Sequence, residues 1–87
     1  MEKFIILNKT APQFVISADV YDAARSGADV RLSYLDKQVD VKRASGLGTA
    51  DVNAILDAAK KVWSQGYTNP SITIDLPSGA AEKLVMV

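Results

Sequence analysis

The run Lys42-Arg43-Ala44-Ser45-Gly46-Leu47-Gly48-Thr49 holds the densest set of groups in this chain that could do chemistry. Two cations and two glycines ahead of an amphipathic helix supply what a phosphate needs: positive charge, close backbone approach and N–H groups at a helix N-terminus. Lys42, Arg43, Gly46, Gly48 and Thr49 are therefore the candidate anion-binding residues. The run lacks the glycine spacing of a dinucleotide fingerprint and the Gly-Lys-Ser/Thr ending of a P-loop. An ordinary loop with Thr49 as helix N-cap accounts for the same residues.

The rest of the inventory points away from catalysis. The chain has no His and no Cys, which removes the commonest metal ligands, proton shuttle and thiol nucleophile. Ser17, Ser33, Ser45, Ser64, Ser71 and Ser78 have no imidazole to activate them. Asp19 with Asp22, or Asp36 with Asp40, could be imagined as acid/base pairs or oxygen ligands, but their spacing and polar surroundings suit turns and caps. No nucleophile, base and oxyanion site can be named together, so the expectation is a protein that is not an enzyme, with no metal and no cofactor.

Arg25, Arg31, Lys42 and Arg43 with Tyr21 make a basic and aromatic mixture of the kind that single-stranded nucleic acid tolerates. Asp22, Asp29, Asp36 and Asp40 are interleaved with them and cancel most of that field. Ten basic residues balance ten acidic ones over the chain, so no net charge draws it to nucleic acid or an anionic membrane.

A chain of 87 residues, 48% hydrophobic and 23% charged, reads as a single domain over 1–87, large enough to bury roughly 60–65% of its unfolded surface. The absence of Cys fits a reducing compartment. Phe4-Ile5-Ile6-Leu7 is too short for a signal-peptide core, and no run is long enough to cross a bilayer as a helix. The expected location is cytoplasmic, in a host cell or a particle assembled there.

The elements that would position these groups follow from periodicity. Phe4 to Leu7 reads as a strand with a partner over 13–17, and the segment 19–25 fits a helical turn or a strand. Residues 29–34 and 38–42 alternate with period two and read as a hairpin turning at Asp36-Lys37, with Val30, Leu32, Tyr34, Val39 and Val41 inward. Arg31, Ser33, Asp40 and Lys42 would line the wet face. One amphipathic helix is expected over about 50–65, with Val52, Leu56, Ala59 and Trp63 in one line, Ile55 and Val62 beside it, and Trp63 in the core. Strands over 71–76 and 82–87, turning at Pro77-Ser78-Gly79, close the chain. The sum is an α+β protein: an antiparallel sheet of about five to six strands in the order β-β-(short element)-β-β-α-β-β, with the helix on one face.

One helix cannot cover both faces of such a sheet. If Phe4 and Ile6 point to the helix, Ile5 and Leu7 point away, and Val15, Leu35, Val85 and Val87 are likewise out of phase with their strands' main apolar sets. Either the sheet curls on itself or another chain covers it. The expectation is a homo-oligomer, a dimer first, or a partner in a larger assembly, with Ile5, Leu7, Val15, Val85 and Val87 at the contact.

The Phe4-Ile5-Ile6 strand, the phrase Phe14-Val15-Ile16-Ser17-Ala18-Asp19-Val20, the Asp51-Val52-Asn53-Ala54-Ile55 helix and the closing Leu76-Pro77-Ser78-Gly79 phrase resemble small uncharacterised proteins of marine phages and marine metagenomes. The likeness covers most of the chain in layout. It carries no functional motif and implies no activity or site residue. The first four strands and the helix also resemble small flagellar accessory proteins, which lack the C-terminal hairpin expected here.

Overall fold

The computed structural model describes residues 2–87. Among these the order is β1 (Phe4–Leu7), β2 (Phe14–Ser17), β3 (Asp22–Ser26), β4 (Asp29–Ser33), β5 (Gln38–Lys42), α1 (Thr49–Val62), β6 (Ser71–Ile74) and β7 (Lys83–Met86). The class is α+β, but seven strands form two sheets where five or six in one sheet were expected. One sheet has the order β2-β1-β6 and the other β3-β4-β5-β7.

Local chemistry explains most of the boundaries. The ambiguous segment becomes strand β3 because it can pair along its whole length with β4, Ala23 opposite Leu32 and Arg25 opposite Val30. Gly27, with φ +64°, takes the first position of the two-residue turn between them, a conformation that favours glycine. The β4–β5 turn sits one residue earlier than expected, at Leu35-Asp36, because the Tyr34 N–H donates to the Lys37 carbonyl at 2.9 Å.

β1 is the central strand of its sheet, antiparallel to β2 and parallel to β6. Its register decides which face is buried. Phe4 stands between Ser17 and Ser71, and Ile6 between Val15 and Thr73, whereas Ile5 lies between Ile16 and Ile72, and Leu7 between Phe14 and Ile74. The Ile5 face is therefore the apolar one. Ile5 and Leu7 are at 0% exposure in the core, which corrects their expected place at an interface.

The closing hairpin is also corrected. β6 joins β1, while β7 pairs antiparallel with β5 in the other sheet. The two sheets and α1 share one apolar core that includes Ile5, Leu7, Val30, Leu32, Val41, Ile55 and Val62, so much of the cover expected from a second chain comes from within this one.

α1 packs against β1, β3 and β6 and so reaches both sheets. Its buried face is Asp51, Val52, Ile55, Ala58, Ala59 and Val62. The stripe is centred on Ile55 and Val62, leaving Leu56 at 37% and Trp63 at 43% exposure, at the margin and outside the expected line. Trp63 follows the last helical residue, and its indole N–H donates to the Ala18 carbonyl at 2.9 Å. Lys3 is buried beside it, with Nζ donating to the carbonyls of Val62 and Tyr67 at 2.8 and 3.2 Å. A cation thus satisfies the orphan Val62 carbonyl at the helix C-terminus and ties the following Tyr67 to it.

On the outer face of the four-stranded sheet, Arg31 and Asp40 stand directly opposite each other and bond at 2.9 and 3.2 Å. Lys42 pairs with Asp29 at 2.8 Å. Asp40 and Ser33, expected on the wet face, are buried. The hydrogen bond from Arg31 is the main cause holding the Asp40 carboxyl below its ordinary range.

The assignment of the β1 faces is testable by truncation. Leu7→Ala should lower unfolding free energy by about 2–5 kcal/mol, because it empties a filled core position. Val15→Ala, at 58% exposure, should stay within about 0.5 kcal/mol. Urea unfolding of both variants checks this, and equal small effects would place Leu7 back at the surface.

Candidate functional site

Four main-chain donors of the 42–49 loop already have acceptors. The Ala44 N–H donates to Glu82 Oε1, Gly46 N–H to the Arg43 carbonyl, Leu47 N–H to the Ala28 carbonyl, and Gly48 N–H to Asp51 Oδ2. Gly48 is the N-cap and Thr49 the first helical residue, one position from the expected cap. Lys42 is engaged by Asp29, which raises the pKa of its ammonium through the hydrogen bond first and charge second. Arg43 lies across Gly79, where a Cβ would overlap its Nη2 and where φ is +132°. Its buried Nε meets no acceptor. The structure brings Lys42, Arg43, Gly46, Gly48 and Thr49 into one loop, but two carboxylates already hold main-chain donors that a phosphate would use.

One of them, Asp51, is a fully buried residue at 0% exposure. Its Oδ1 accepts the Ser78 N–H at 3.0 Å, and its Oδ2 accepts the Ser78 hydroxyl at 2.6 Å and the Gly48 N–H at 2.7 Å. Burial is the largest single influence and opposes the charge, yet the hydrogen bonds from Gly48 and Ser78 outweigh it and the carboxyl titrates below its ordinary value. A similar pin forms at Asn8, whose Nδ2 donates to the Ala81 carbonyl while its Oδ1 accepts the Ala81 N–H, both at 2.9 Å. Asn8 has φ +75°, a conformation that Asn tolerates better than most residues. Sequence reading missed both pins. The signal for Asn8 was an Asn ending an apolar run.

A cleft of about 830 Å³ lies elsewhere, where the outer side of β1 and β2 meets the β4–β5 turn. Phe4, Val15 and Ser17 line it from β1 and β2, Tyr34 and Leu35 from the β4–β5 connection, and Tyr21 from the segment just before β3. Leu35 is 97% exposed and Tyr21 66%. Glu2, Asp19 and Asp36 stand at this cleft with Lys37 as the one cation among the described residues, and Lys37 Nζ sits 5.7 Å from the Tyr34 ring centroid. The Tyr34 hydroxyl donates to the Ser17 carbonyl at 2.8 Å and bridges the two sheets. Burial chiefly, with the Asp19 charge, pushes its pKa up to about 12.

The expected interface residues divide three ways. Ile5 and Leu7 are core, Val15 lines the cleft, and Val85 and Val87 are on β7 and its end, Val87 at 59% exposure. Among the described residues no group of three or more carboxylates could hold a metal ion, and no helix is long and apolar enough to cross a membrane. No family model, no curated protein and no solved structure matches this chain.

The buried Asp51 carboxylate makes a signed prediction. Its stabilising contribution is complete above the ordinary carboxylate range and is lost as pH falls through the depressed folded-state value. Asp51→Asn should cost about 1.5–3 kcal/mol at neutral pH, and the gap to the unaltered protein should close as pH drops below about 4. Unfolding curves across that range check it, and a gap independent of pH would mean that another group carries the effect.

Proposed function

We propose that this chain is a non-enzymatic interaction protein that self-associates, with β7 as the contact between copies. The observation that supports it is the state of that strand. β7 is an edge of the four-stranded sheet, its sequence Lys-Leu-Val-Met carries a single charge, and Met86 and the following Val87 are 69% and 59% exposed. Edge strands are ordinarily blunted by several charges, Pro or a covering element.

The register supplies free main-chain groups. The Val87 N–H donates to the Gln38 carbonyl, so the alternation of an antiparallel ladder turns Leu84 and Met86 outward. Two copies pairing β7 with β7 about a two-fold axis would fuse their sheets into one. Val85 and Val87 would flank the new seam on the outer face. The engagement of Asp40 with Arg31, and of Asp51 with Gly48 and Ser78, supports the non-enzymatic part of this reading, since neither buried carboxylate is free to act as an acid or base.

Light scattering over a wide concentration range tests the proposal. The unaltered protein should show twice the mass of the chain. Met86→Pro removes only an outward N–H, leaves the bonds to β5 in place, and should return the mass to that of one chain. A monomer at all concentrations for the unaltered protein would overturn self-association, and a dimer unaffected by Met86→Pro would overturn the contact.

A further inference from the structure

The cleft between the two sheets combines three features that no intramolecular contact accounts for. Its apolar walls are uncovered at Tyr21 and Leu35, 66% and 97% exposed, and at Val15, 58% exposed. Three of its four charged lining residues are acidic, Glu2, Asp19 and Asp36, on a chain whose total charge is zero. Its volume of about 830 Å³ is in the range that holds several side chains of a ligand.

We propose that this cleft binds an extended basic peptide segment, with an apolar side chain between Val15, Tyr21 and Leu35 and flanking Lys or Arg residues facing Asp19, Asp36 and Glu2. Charge complementarity selects the occupant: an acidic segment or a nucleic acid backbone would meet three carboxylates, while a guanidinium gains from those carboxylates and from an exposed tyrosine face. The backbone offers a second element of fit. β2 is an edge strand, and because Ala18 N–H bonds the Lys3 carbonyl, the ladder turns the main-chain groups of Val15 away from β1, where an extended segment can use them. Lys37, over the Tyr34 ring, offsets one of the three carboxylates and leaves the lining acidic in sum.

None of the residues lining this cleft lies on β7, so the two readings are tested by different variants and can fail independently. The test uses fluorescence anisotropy with three labelled probes: a short peptide alternating arginine and leucine, its glutamate and leucine counterpart, and single-stranded oligothymidylate. The arginine peptide alone should bind, and its affinity should fall as salt rises. Asp19→Asn combined with Asp36→Asn should weaken it by about tenfold. Leu35→Ser should also weaken it, and since Asp19, Asp36 and Leu35 are all exposed, these variants should keep their fold and their mass by light scattering. Equal binding of the glutamate peptide, binding of the oligonucleotide in its place, no binding of the arginine peptide, or variants that bind it as tightly as the unaltered protein would each overturn the proposal.

Discussion

The segment between β6 and β7 has to carry the chain from one sheet to the other, and two buried polar side chains hold it there. Asp51 takes the Ser78 N–H and hydroxyl, and Asn8 pairs with both main-chain groups of Ala81. Between and beside these pins, Leu76 and Ala81 enter the core at 3% and 1% exposure. A connection of this kind has no ladder of its own, so its main-chain groups must find partners elsewhere or remain with water. Asn8 provides those partners at buried Ala81, and Asp51 provides them at the turn residue Ser78. The carboxylate does two jobs with one charge, closing the helix N-terminus at Gly48 and fixing the turn at Ser78, which is why it can remain charged without solvent.

Once β7 is delivered to β5, the arrangement of the other faces follows. β1 gains a parallel partner in β6 and buries Ile5 and Leu7, and the face bearing Phe4 and Ile6 is left to line the junction with the β4–β5 turn. Tyr34 ties that turn back to β2 through Ser17. The cleft is thus a consequence of two sheets meeting at one end, where the Tyr34 hydroxyl bonds across the gap.

Local periodicity was enough to find α1, the β1–β2 pairing and the β4–β5 hairpin, because each is decided by residues close in sequence. It could not assign the faces of Phe4-Ile5-Ile6-Leu7, a run with no polar residue to mark the outward side. That choice is made by Ser17, Ser71 and Thr73 on the neighbouring strands. The partner of β7 is likewise a long-range fact, since a hairpin with β6 satisfies the local pattern equally well. The helix stripe was misplaced for a different reason: Asp51 counts as polar in any periodicity, yet hydrogen bonding places it on the buried face. Of the candidate anion site, the residues were found together, but the acceptors that occupy it, Asp51 and Glu82, could not be seen as such from spacing alone.

The surface that remains is uneven in a way that bears on use. The outer face of the four-stranded sheet pairs Arg31 with Asp40 and Lys42 with Asp29, so charges there are satisfied within the chain and offer little to a partner. Glu2, Asp19 and Asp36 form no ion pair with a basic side chain among the described residues, and they stand beside exposed Tyr21 and Leu35. Uncovered apolar area and unspent charge therefore coincide at the cleft, while at β7 uncovered apolar area coincides with unpaired main chain. The first combination is one that charge can select on, and the second is one that strand pairing can satisfy.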